Sequence, residues 1–205
     1  MKVFLKLFFS LFLLICLIGK SYAMGDADSG KQKVASCNAC HGADGNSVIP
    51  SNPKLAGQHE KYLLKQLLNI QSGAREIALM VGQVDHFSKK DLADIAAYYA
   101  SQQQTLSFAE EKWLALGKEI YRNGNHERGI PSCTGCHGPS GNGNGPAGFP
   151  MLAGQHAEYL AHSLRQFSIG ARHNDGEGKV MRNIAERMNE NEIKAVASYI
   201  AGLRP

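Results

Sequence analysis

Two short strings carry the chemistry of this chain. Cys37-Asn-Ala-Cys40-His41 and Cys133-Thr-Gly-Cys136-His137 each set two thiols three positions apart, with an imidazole directly after the second. At that spacing the thiols can add to the two vinyl groups of a haem, and the next histidine lies under the iron as a ligand. Tethering fixes that ligand and prevents the haem from dissociating. Two strings at equivalent places predict two covalently bound haem c groups, held by Cys37, Cys40, Cys133 and Cys136, with His41 and His137 on the metal. The rivals fit less well. A tetrahedral zinc site needs four ligands, commonly two spaced pairs, whereas each half of this chain offers one pair. A thioredoxin-like dithiol belongs in an α/β pattern, and these segments read as helical.

A haem iron that only passes electrons fills its second axial position, often with methionine sulfur, which raises the potential. Met24, Met80, Met151, Met181 and Met188 are the methionines past the leader. Most methionines fill cores, so the internal repeat serves as a filter. Met151 falls opposite Lys54 and Met188 opposite Phe87, while Met80 and Met181 fall opposite each other. Each precedes the final helix of its copy, where a loop can wrap the far haem face. His59 and His156 pass the same filter, so bis-histidine ligation stays open on residues alone. The bland role of that pair is capping or a polar contact beside Gln58 and Gln155. Each proximal histidine needs an acceptor for its other ring nitrogen, which the carbonyls of Pro50 and Pro146, or of Pro53 and Pro150, could supply. Arg75 and Arg172 read either as partners of haem propionates or as surface charge near a helix end.

These residues are positioned by one unit written twice. The cysteine strings are offset by 96 residues, the Leu-Ala-Gly-Gln-His strings at 55–59 and 152–156 by 97, and the final helices by 101. The pairs Tyr62/Tyr159 and Arg75/Arg172 follow the same register. The extra residues fall near His173–Lys179, a polar stretch that reads as a surface loop. A boundary near Gln102–Thr105 gives an N-terminal domain at 24–104 and a C-terminal domain at 105–205. Both read as all-α. Ser88-x-x-Asp91 is a capping box, followed by Leu92, Ile95, Ala96 and Tyr99 on one helix face. Asn189 caps the equivalent helix, with Ile193, Val196, Ala197 and Ile200 on its face. Middle helices are expected at about 58–71 and 155–169, others at about 29–36 and 109–121, and loops at 42–53 and 138–150.

The first 23 residues read as a secretory signal. Lys2 and Lys6 precede an apolar run from Leu7 to Ile18, and Ser21-Tyr22-Ala23 offers a cleavage site. Cleavage would remove Cys16 and leave four cysteines, all in the two strings. The run is too short to span a bilayer, which takes ~20 residues. The full chain is +4, and the leader carries three lysines and no acid, so the remainder is +1. No basic stripe marks a nucleic-acid partner.

The stretches CNACHGADGNS, PKLAGQHEKYLLKQL, MVGQVDHFSKKDLADIAAYYASQ, CTGCHGPSGNGNGPAGFPMLAGQH and VMRNIAERMNENEIKAVASYIAGL resemble the cytochrome c4 family of dihaem periplasmic cytochromes. The resemblance spans essentially the whole chain past the leader. The segment between Gly73 and Met80 is short for the family pattern. The resemblance implies two tandem class I cytochrome c domains packed with their haem edges near one another. It implies His/Met ligation, by His41 with Met80 and His137 with Met181. It implies an electron carrier rather than an enzyme, located in the periplasm, with redox proteins or membrane respiratory complexes as donors and a terminal oxidase or other acceptor. Loose membrane association stays open. A dihaem peroxidase would need an acid/base group over an open iron; His126 and His173 are on offer, but neither is duplicated. A subunit of a larger flavoprotein dehydrogenase is the remaining alternative.

Overall fold

The structure, a computed structural model, describes residues 25–205; the expected leader, Cys16 and Met24 lie outside the described residues. The helices in chain order are α1 (Ala27–Lys31), α2 (Asn38–His41), α3 (Glu60–Gln71) and α4 (Lys89–Ala100) in the first half. The second half has α5 (Leu114–Asn123), α6 (Thr134–His137), α7 (Ala157–Ser168), α8 (Val180–Ala185) and α9 (Glu190–Ala201). Short 3-10 turns stand at Ala78–Met80 and Glu111–Trp113. No strand forms among the described residues; isolated bridges at Asn125–Ile130 and Asn144–Phe149 close loops. None of these helices is long and apolar enough to cross a membrane.

The last helix of each half starts where the sequence predicts, because both boxes close. Ser88 Oγ accepts from Asp91 N at 3.2 Å while the Asp91 carboxylate accepts from Ser88 N at 3.0 Å. Asn189 and Glu192 repeat the exchange at 3.0 and 2.8 Å. Each side-chain cap contributes about 1 kcal/mol. The predicted faces are buried: Leu92, Ile95, Ala96 and Tyr99 in one core, Ile193, Val196, Ala197 and Ile200 in the other. α1 and α5 cross these helices at glycines. A Cβ on Gly30 would lie 2.0 Å from the Asp94 carbonyl oxygen, and one on Gly117 2.2 Å from that of Ala195. Asp94 and Ala195 are equivalent in the repeat, so one backbone-on-backbone crossing is built twice. The two cores are separate clusters, drawing on residues 34–100 and 120–203.

Several boundaries differ from the periodicity. α1 is not at 29–36: Asp26 caps it earlier by accepting from Ser29 N at 2.9 Å, and Lys33 N closes its end on Gly30 O. The chain then turns to bury Val34. α5 does not start at 109, because Ser198 Oγ takes the Glu110 amide at 2.9 Å and holds that residue extended. α3 and α7 begin two residues late, since Gln58 and Gln155 turn their side chains to the other half instead of entering the helix.

Candidate haem-binding sites

Each Cys-x-x-Cys-His string forms one tight helical turn. His41 N bonds Cys37 O at 3.0 Å, and His137 N bonds Cys133 O at 2.9 Å, which gathers both thiols and the ring on one short segment. None of the four cysteines is paired in a disulfide. The turns stop at Gly42 and Gly138, whose φ of +79° and +76° glycine adopts without strain. Burial pushes the Cys37 thiol up and that of Cys133 up to about 11, away from the thiolate that dithiol exchange uses.

Both histidines are buried and oriented. His41 Nδ1 lies 3.1 Å from Pro53 O, and His137 Nδ1 lies 3.0 Å from Pro150 O. Of the two carbonyl pairs the sequence allowed, the later prolines serve; Pro146 O instead accepts from Lys61 Nζ at 2.6 Å. A carbonyl only accepts, so Nδ1 carries the hydrogen and Nε2 keeps its lone pair for a metal. Burial holds both rings below the ordinary histidine pKa, partly offset by the proline carbonyls. They are therefore neutral, the form that ligates.

The methionines sit on unlike supports. Met80 ends the 3-10 turn, half-buried, and packs on the same core as Cys37, while Leu79 and Val81 beside it point outward. Met181 is the second residue of α8 and is also half-buried. The extra residues of this copy precede that helix and pin it. Asp175 accepts from Arg182 N at 3.0 Å and from Arg182 Nε at 2.7 Å, next to Met181. Lys179, in the left-handed region at φ 48°, starts the turn.

The histidines of the rival pair are engaged elsewhere. His59 Nε2 lies 2.8 Å from Asn142 O, and His156 Nε2 lies 2.7 Å from Ser47 O. Each stands at a helix N-cap without capping through its side chain. Each reaches instead across to the loop that follows the other half's cysteine string.

That exchange belongs to a two-fold interface. Gln58 Nε2 donates to Met151 O at 2.8 Å and its Oε1 accepts from Met151 N at 2.9 Å. Gln155 does the same to Lys54 at 2.8 and 2.9 Å. Arg75 bonds the Tyr159 hydroxyl at 3.1 Å, and Arg172 bonds that of Tyr62 at 2.9 Å. The surface-charge reading of these arginines is overturned. Arg75 is buried, and Arg172 stacks over Phe167 at 4.4 Å from the ring centroid. Neither has a carboxylate partner among the described residues. Cations held between domains without an anion, Arg75 buried and Arg172 half-buried, fit the propionate groups of a bound haem. The interface roles of Gln58, Gln155, Tyr62 and Tyr159 were not read from sequence. Their signal was present: identical polar residues in both copies that do no chemistry themselves.

The Cytochrome c family profile matches residues 27–103 and 114–204. The chain is 50% identical over 198 residues to cytochrome c4 of Pseudomonas aeruginosa, covering 97% of this chain and 98% of that one. It is 46% identical to cytochrome c4 of Azotobacter vinelandii over 207 residues, covering 97% and 99%. The crystal structure of reduced recombinant cytochrome c4 from Pseudomonas stutzeri superposes with a TM-score of 0.86 at 47% identity, covering 88% of this chain and 100% of that one. With two such domains and relatives this similar along nearly its whole length, the chain belongs to the cytochrome c4 family and carries two covalently bound haem c groups.

Proposed function

We propose that Cys37 and Cys40 tether one haem and Cys133 and Cys136 the other, with His41 and Met80 as the axial pair of the first and His137 and Met181 of the second. The units are 24–104 and 105–205. The protein is an electron carrier, and each haem supplies an iron that takes up and returns one electron. We place it in the periplasm, between periplasmic or membrane respiratory donors and a terminal oxidase or another acceptor.

The observation that carries the ligand set is the division of labour among four duplicated histidines. His41 and His137 are held through Nδ1 with Nε2 left for the metal, whereas His59 and His156 spend Nε2 on the opposite domain. Methionine is then the duplicated soft donor that remains, at Met80 and Met181. The protein's part is to hold its ligands still and keep water from the far face, so that little rearranges when the charge changes.

The test is a redox titration of the full holoprotein with optical spectra. Met80→Ala and Met181→Ala should each remove about half of the methionine-to-iron charge-transfer band and lower one potential. His59→Ala and His156→Ala should leave the band intact. An unchanged band in both methionine variants, with loss in the histidine variants, would establish bis-histidine ligation.

A further inference from the structure

The interface is two-fold in its backbone contacts but not in its charge. Lys54 and Met151 are equivalent residues, each directly after the proline whose carbonyl holds a proximal histidine. Both backbones are clasped by a glutamine of the other half in the same way. Both side chains reach toward the equivalent glycine opposite. Met151 brings Cε to 3.4 Å from where a Cβ on Gly57 would stand. Lys54 brings Nζ to 3.1 Å from the Gly154 carbonyl oxygen. One position of the pair therefore carries a methyl group and the other an ammonium.

That ammonium is sealed in: Lys54 is only 4% exposed. Nζ donates to Thr105 O at 2.6 Å, Ser107 Oγ at 2.9 Å and Gly154 O at 3.1 Å. Three acceptors for three N–H groups is the inventory of the charged form. A neutral amine would donate only to the two carbonyls and accept from the Ser107 hydroxyl, whereas the ammonium donates in all three contacts. All three partners are neutral, and among the described residues no ion pair includes Lys54. The neighbouring Gln104 Oε1, buried without a partner, adds another acceptor dipole to this corner. Arg75 and Arg172 differ, being matched across the two-fold.

Burying an unpaired ammonium is costly, and a hydroxyl or amide could pin the linker at less cost. The charge itself is what those substitutes would lack. Reduction places one more negative charge at an iron, and a cation held in a poorly solvated interface lowers the energy of that state with little screening by salt. We propose that Lys54 is a positioning residue of the redox function whose buried charge raises the combined reduction potential of the haem pair. This rests on the two haem sites argued above.

The test uses the full-length holoprotein, with haem content and the methionine-to-iron band recorded for every variant. Lys54→Met makes the pair symmetric, Lys54→Gln removes the charge but keeps donors, and Lys54→Arg keeps the charge. In the two uncharged variants the product of the two reduction equilibrium constants should fall about tenfold, a drop of ~59 mV in the summed one-electron potentials. Lys54→Arg should hold the wild-type sum. If Lys54→Met fails to mature, Lys54→Gln carries the test alone. An unchanged sum in the uncharged variants, or an equal fall in Lys54→Arg, would overturn the proposal and leave Lys54 a linker pin. Failure of the ligand assignment would show separately, in the band of the methionine variants.

Discussion

The two halves agree most closely where they hold cofactor and each other, and least where they hold themselves together. The cysteine turns, the proline carbonyls behind His41 and His137, and the glutamine clasps are superposable in kind and nearly in distance. The supports around them are not. Met80 ends a 3-10 turn, while Met181 rides a helix pinned by Asp175 and Arg182. α1 docks on α4 through an ionic cluster at Asp94, but the equivalent position on α9 is Ala195. A sulfur proposed as the distal ligand need only arrive, so its route can vary. An interface between two copies must satisfy both at once, so a change in one copy is felt by the other.

The sharpest way to test the separateness of the cores is to damage them at matched positions. Leu92 and Ile193 are equivalent, at 0% and 4% exposure. Leu92→Ala and Ile193→Ala should each cost about 2–5 kcal/mol. Each loss should appear in one domain, seen as an earlier melting step that removes the spectrum of one haem. Equal lowering of both steps by either variant would show a single folding unit and break the comparison.

A smaller effect is expected where the halves meet. Gln58→Ala or Gln155→Ala removes the partner of two backbone N–H groups and one C=O, a cost of about 1–3 kcal/mol. The two losses should match within ~0.5 kcal/mol, and each variant should separate the melting steps of the two domains. Unequal losses, measured by denaturant unfolding, would mean that the geometric two-fold is not an energetic one.

The sequence was legible where function repeats a local pattern. The thiol-thiol-imidazole turns, the capping boxes and the faces of α4 and α9 depend on residues a few positions apart, and spacing reports them. The interface was not legible in the same way. Gln58 meets Met151, and Arg75 meets Tyr159, through packing that no local spacing encodes. The repeat marked the glutamine, the arginine and the tyrosine as kept in both copies without saying what they touch. The ends of α1, α3 and α5 were missed for a related reason. A side chain from elsewhere, or one turned elsewhere, decided each end, as Ser198 does at Glu110.

The smallest expected effect tests the ionic cluster that only the first half has. The Asp94 carboxylate is nearly sealed, at 2% exposure, and accepts from Asp26 N at 2.8 Å, Lys90 Nζ at 2.6 Å and Lys33 Nζ at 3.0 Å. Burial alone would raise its pKa, but the Asp26 amide and the two ammonium groups hold it well below the ordinary aspartate range. A depressed folded pKa stabilises the fold at pH above the unfolded value, about 3.9. That stabilisation is lost as the pH falls from there toward the folded value. Lys90 is 65% exposed, so solvent screens its share, and a total of about 1 kcal/mol is expected at neutral pH. Asp94→Asn should therefore lower the first domain's melting step at pH 7. The gap to wild type should close as the pH drops below about 4. The second domain's step should not respond to the variant, since Ala195 offers nothing to titrate. A gap that stays constant with pH would assign the contribution of Asp94 to hydrogen-bond shape rather than charge. The difference between the two helix crossings would then be one of packing alone.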